Sequence, residues 1–186
     1  VGLGRRRGRL ATAAALAAGL ALTAGAGPAR AGWAPVAAGV LVTPAQVGGH
    51  RYAGTFREWD AVLTWALPWA RDLGAWRLKG ELEAAAGVIR VNDRARTTVL
   101  SAGPVAVLAR GWLALHAGIR PTYLHRYQLD TLGMGDHVQF TSHLGVLLRP
   151  WPRLGVGGRI QHVSNGGIGH INPGVNLATV EVRVDW

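Results

Sequence analysis

From Trp76 onward the chain keeps returning to one pattern, apolar residues at every second position with charged or polar residues between them. Trp76, Leu78, Gly80, Leu82, Ala84, Ala86 and Val88 alternate with Arg77, Lys79, Glu81 and Glu83. Val138, Phe140, Leu144, Val146 and Leu148 share one face, while His137, Gln139, Thr141 and His143 share the other. At the C-terminus Val180, Val182, Val184 and Trp186 stand against Glu181, Arg183 and Asp185. A period of two belongs to strands with one apolar and one polar face. Past residue 31, no stretch is apolar for the ~20 residues that a spanning helix needs. The polar face carries both signs of charge in close register, which suits the filled interior of a narrow barrel. It suits a solvated sheet face equally well, so alternation alone leaves sandwich and barrel open.

The two ends of the chain decide between them. Arg5, Arg6, Arg7 and Arg9 precede an apolar run from Leu10 to about Ala26, and Gly27-Pro28-Ala29-Arg30-Ala31 offers small residues at an A-x-A-like site. A basic segment, an apolar segment and a small-residue site together describe a secretory signal peptide over 1–31. An anchoring helix would be longer and would not run into Pro28. The alternating last strand ends on an aromatic, Trp186, as outer-membrane barrels usually do. The expected fold is all-β: an eight-stranded antiparallel transmembrane β-barrel over 45–186, preceded by a cleavable signal peptide. Residues 32–44 are either a periplasmic lead-in or the start of the first strand. Spanning strands take about 9–11 residues, and the predicted segments are 46–56, 59–68, 75–91, 97–109, 112–125, 136–149, 153–164 and 175–186. Breaks are expected near Arg57-Glu58, Asp72-Leu73-Gly74, Asn92-Asp93-Arg94, Leu132-Gly133-Met134-Gly135 and Pro150-Trp151-Pro152. Pro104 should interrupt the ladder of its strand, because it has no N–H to donate. An even strand count puts both termini in the periplasm and points the last hairpin outward.

Composition agrees. The chain has no cysteine, so an exported domain must be held by packing or by a closed hydrogen-bonded sheet. Eight Trp and 27 Gly suit bilayer interfaces and sheet bends. The formal charge of +10 is partly the leader's, since five of the 20 basic residues and none of the 10 acidic ones lie in 1–31. What remains is mildly basic, compatible with an anionic surface such as lipopolysaccharide. No basic stripe with interleaved aromatics points to nucleic acid. Metal-protease, P-loop and cysteine-metal signatures are missing, and neither cofactor nor metal is expected.

One segment carries chemistry: Arg159-Ile160-Gln161-His162-Val163-Ser164-Asn165-Gly166-Gly167, followed by Asn172-Pro173-Gly174-Val175-Asn176. A bare His-x-Ser is weak and occurs often by chance. Parity sharpens it. His162 and Ser164 share the face of Leu154, Val156 and Ile160, and Asn176 shares that of Val180, Val182 and Val184. Three polar side chains thus fall on the apolar, lipid-meeting face of one hairpin, where polar groups are costly and tend to be functional. A His and a Ser two apart on one face can meet as base and nucleophile.

With its Asn-Pro-Gly turn and aromatic-terminated last strand, this segment is similar to the lipid A 3-O-deacylase family of Gram-negative outer membranes. The motifs cover about the last 30 residues, and the strand beginning near Gly135-Asp136 agrees with the family as well. The resemblance implies hydrolysis of the ester-linked 3-hydroxyacyl chain at the 3 position of lipid A. Ser164 would be the nucleophile and His162 its base, with Asn165 helping to form the oxyanion site. Backbone N–H groups of the Gly166-Gly167 turn would add oxyanion donors. The implied partners are lipid A or lipopolysaccharide as substrate and the outer-membrane bilayer; a homodimer is left open. One position departs from the family: its acidic triad member falls on Asn176. An amide can fix the imidazole tautomer but supplies no charge, and the corresponding Asp-to-Asn change in a serine protease costs about 10⁴ in rate. Glu181 and Asp185 have the wrong parity to replace it. The chain is therefore an active variant using Asn, a slow enzyme, or a non-catalytic barrel of the structural or adhesion type.

Overall fold

The computed structural model describes residues 33–46, 55–130 and 132–186. The expected signal peptide, 1–31, lies outside the described residues. Eight strands close into a barrel: β1 (Ala37–Gln46), β2 (Phe56–Leu73), β3 (Trp76–Val91), β4 (Ala95–Arg110), β5 (Leu113–Leu124), β8 (Val138–Trp151), β9 (Leu154–Ser164) and β10 (Val175–Asp185). Their order around the wall is β1-β10-β9-β8-β5-β4-β3-β2. Every neighbouring pair is antiparallel, and β1 closes the ring by pairing with both β10 and β2. Closure leaves no edge strand, the condition for a sheet to stand in lipid. A two-stranded hairpin, β6 (Gln128–Leu129) and β7 (Leu132–Gly133), lies in the connection between β5 and β8.

The period of two becomes an inside and an outside. Along β4 the odd positions from Thr97 to Val107 are buried and most of the even ones are exposed. The outer wall shows Leu100, Ile119, Leu144, Ile160, Val180 and Val182. The inner wall is polar and filled. Arg159 donates to both carboxylate oxygens of Glu83 (3.0 and 3.2 Å) and to Glu181 (3.2 Å). Arg120 bridges Glu83 (3.2 Å) and Gln161 (3.0 Å), and Arg183 holds Glu81 (2.7 and 3.2 Å). Both signs of charge along one strand face are thereby matched across the lumen. Toward the long-loop end, Phe56, Ile89, Val91, Val99, Leu124, Val163, Val175 and Leu177 pack with Leu129, Leu132 and Met134 of the β5–β8 connection. The β6–β7 hairpin thus contributes to an apolar plug, and the interior is a core rather than a channel.

The short turns at 74–75, 111–112 and 152–153 share one end with Ala37 and Asp185, which pair with each other. The longer connections 125–137 and 165–174 share the opposite end with the 92–94 turn, where Asn92 and Asp93 take positive φ. In outer-membrane barrels short turns face the periplasm and longer loops face outward.

Three expectations need correction. The first strand predicted over 46–56 is instead Ala37–Gln46, so the stretch 32–44 holds its beginning; residues 47–54 lie outside the described residues. The break predicted at Arg57-Glu58 sits inside β2, which runs from Phe56 to Leu73 where 59–68 was expected. Charge had suggested a turn there, but Glu58 and Asp60 are buried on the inner face while Arg57 and Trp59 lie on the outer one. Pro104, thirdly, interrupts the ladder on one side only: β4 runs through it, and it still pairs with Leu82 of β3. On the other side, β4–β5 pairing pauses between Ser101/Thr122 and Val105/Gly118. Pro104 and Pro121 both fall in that gap, so their missing donors coincide.

Candidate active site

The predicted site residues converge on the last hairpin. Asn176 pairs with His162 across β10 and β9, and on the other side His162 pairs with Ser142 of β8. Ser164 ends β9 and pairs with Phe140. Gln161, Val163, Val175 and Leu177 are buried on the inner face, so His162, Ser164 and Asn176 lie on the outer one. Ser164 stands two residues beyond His162, roughly 6.7 Å along the strand.

His162 Nδ1 lies 2.7 Å from Asn176 Oδ1. An amide oxygen can only accept, so Nδ1 is the donor, and in the neutral imidazole this leaves the lone pair on Nε2. That is the tautomer a general base requires. The imidazole edge rests over Gly174, where an added Cβ would come within 3.1 Å of Cε1. Gly174 also has a φ of +59°, so the turn residue both bends the chain and makes room for the ring.

Asn165 opens the 165–174 loop and is fully buried. Its Nδ2 donates to the carbonyls of Met134 (3.1 Å) and Ile171 (2.6 Å), and its Oδ1 accepts from the Gly167 N–H (2.9 Å). Its own N–H donates to Asn172 Oδ1 at 3.2 Å. Both amide hydrogens are therefore spent, one on the β5–β8 connection and one inside the 165–174 loop, and the side chain ties the two together. Gly166 is exposed, has a φ of +64°, and backs onto the Phe140 ring.

The pocket that receives the Asn165 side chain is made by glycine. A Cβ on Gly135 would collide with the Ile171 carbonyl and approach Asn165 Nδ2 to 2.6 Å, at a φ of +83°. Gly135→Ala is expected to combine that collision with about 1–3 kcal/mol of backbone strain and to loosen the 165–174 loop. Faster proteolytic cleavage confined to that loop, with unchanged barrel migration on gels, is the measured sign; unchanged cleavage would show that the loop does not depend on this contact.

A family model described as lipid A 3-O-deacylase (PagL) matches residues 49–185. The chain belongs to that family. Among solved structures, the crystal structure of the outer membrane enzyme PagL superposes with a TM-score of 0.67 at 19% identity, covering 81% of this chain and 99% of that one. No curated protein matches the chain by sequence. Membership in the PagL family makes this an outer-membrane barrel, with the 165–174 loop at the end that faces outward in such barrels.

Sequence reasoning passed over two residues of this neighbourhood. Ser142 is the one polar member of the outward row Val138, Phe140, Leu144, Val146 and Leu148, a break in parity of the same kind that revealed His162. Asn172 stood within the quoted segment, but its bond to the Asn165 N–H depends on how the loop folds back. Among the described residues no group of three or more His, Cys, Asp or Glu side chains is placed to hold a metal ion.

Proposed function

We propose that this member of the lipid A deacylase family hydrolyses the ester-linked 3-hydroxyacyl chain at the 3 position of lipid A, using Ser164 and His162 on the lipid-facing wall at the outer rim. The observation that carries the reading is the 2.7 Å contact between His162 Nδ1 and Asn176 Oδ1 on the face that also bears Ser164. With Nδ1 donating, Nε2 takes the Ser164 proton as Oγ attacks the ester carbonyl. The tetrahedral intermediate collapses, and His162 returns the proton to the departing sugar oxygen. Water, activated by the same nitrogen, then releases the hydroxy fatty acid and restores Ser164. The Gly166 N–H is the oxyanion donor in this reading, and Asn165 acts by holding the loop that presents it. An ester lying just beneath the headgroups meets such a site without leaving the membrane.

Asn176 orients His162 without a charge to stabilise the imidazolium. Hydrogen bonds to an ionised partner are roughly twice as strong as neutral ones, so Asn176→Glu is expected to raise the hydrolysis rate about tenfold. Asn176→Ala should lower it. The measurement is release of 3-hydroxy fatty acid from lipid A by purified protein in detergent. Release by the wild type, ordered Glu above Asn above Ala, supports the mechanism. No release from any of the three identifies a non-catalytic barrel.

A further inference from the structure

On the far side of the barrel three arginines stand in one row. Arg57 of β2 pairs with Arg90 of β3, and Arg90 pairs with Arg96 of β4. Their neighbours Glu58, Ile89 and Thr97 are buried inward, so the row faces out. It lies at the long-loop end, each arginine within two residues of a strand terminus. Like charges directly opposite one another destabilise a sheet, and little in the described structure relieves them. Asp93 meets Arg57 at 3.4 Å, and the Arg90 guanidinium lies 5.8 Å from the Trp59 ring centre. The nearby Asp130 carboxylate accepts from Asn92. Among the described residues Arg96 has no carboxylate partner, and Arg94 in the adjoining turn has none either.

Beneath this row the outer wall is hollow. An apolar groove of about 770 Å³ runs across it, floored by small side chains that include Ala61, Ala84, Ala86 and Ala102. Ala61 lies four residues below Arg57 on β2, roughly 13 Å along the strand. We propose that this face is a second lipid site, which holds a phosphorylated lipid A molecule with its phosphate on Arg57, Arg90 and Arg96 and an acyl chain in the groove. A free anion would answer the charge and leave the groove unexplained, whereas an anionic outer-leaflet lipid satisfies both at the observed spacing. β3 lies four strands from β9 in the closed ring of eight. The held lipid is thus opposite Ser164 and is not the one being cleaved. The proposal rests on the outer-membrane location and not on catalysis.

The test uses the full barrel carrying Ser164→Ala, so that lipid stays intact, in discs of neutral phosphatidylcholine. Lipids retained after exchange with diphosphoryl or dephosphorylated lipid A are counted by native mass spectrometry. A preference for the phosphorylated form is expected, worth about fivefold per arginine and roughly 100-fold for three. Arg57→Gln/Arg90→Gln/Arg96→Gln should abolish that preference, and Ala84→Trp/Ala102→Trp should weaken retention of both forms. Heat-modifiable migration confirms that each variant is folded; if the triple variant is not, Arg96→Gln alone should lose about fivefold. Equal retention of both lipids by the parent, an undiminished preference in the arginine variant, or displacement by inorganic phosphate as effective as by lipid A would overturn the site. Deacylation by protein with Ser164 intact is assayed separately. A barrel that prefers phosphorylated lipid A but never cleaves it would refute the deacylase mechanism and leave this site standing.

Discussion

Ser164→Ala is expected to lower the rate of lipid A hydrolysis by on the order of 10⁴–10⁶-fold, because a nucleophile and its base act as one unit. The side chain sits on the outer wall and its removal opens no cavity in the core, so barrel stability should stay within about 0.5 kcal/mol. Its strand neighbours Val163 and Asn165 keep their inward packing and loop bonds. Turnover of lipid A by purified wild type and variant gives the rate, and thermal migration shifts on gels give the stability. A variant that retained more than a tenth of the activity would remove Ser164 from the chemistry. His162→Ala should fall nearly as far, and the double variant little further, since the two losses are not additive.

Arg159→Ala acts on the fold instead. The Arg159 side chain is fully buried and is held by Glu83 on β3 and Glu181 on β10. Removing one member of a buried ionic group leaves its partners uncompensated, at a cost of about 3–5 kcal/mol. Among the described residues Glu83 would keep one arginine, Arg120 at 3.2 Å, and Glu181 would keep none, with the His116 ring 3.5 Å away. The exposed pair Arg77–Asp72, 3.6 Å apart with both side chains more than half exposed, provides the contrast. Arg77→Ala should change stability by about 0–1 kcal/mol. Urea unfolding in detergent micelles compares the two. Equal midpoints would mean that the lumen network does not hold the barrel together.

The strand faces were legible because parity is a one-dimensional signal, and burial in a barrel follows it. Gln161, Val163, Thr179 and Glu181 could be assigned to the inner face from spacing alone, and the outward placement of His162 and Ser164 came with them. The start of the barrel was harder. Ala37–Gln46 is rich in small residues and carries no charged side chain to mark a polar row, whereas the charged Arg57-Glu58 step imitates a turn. A strand with one charge facing out and the next facing in breaks the rule that loops are polar. Contacts between distant segments left no local trace either. Arg159 meets a carboxylate 76 residues away, and Asn165 donates to a carbonyl 31 residues away. That second contact ties Asn165 to the β5–β8 connection, which spacing alone had no means to reveal. The arginine row was equally hidden, because Arg57, Arg90 and Arg96 become neighbours only through strand register.

The most direct measurement is tandem mass spectrometry of lipid A from Gram-negative cells that express this barrel in their outer membrane. A lipid A lighter by one 3-hydroxyacyl chain, with the fragment pattern placing the loss at position 3 and the full mass restored by Ser164→Ala, is the predicted result. Unchanged lipid A, or loss of the chain from another position, would contradict it.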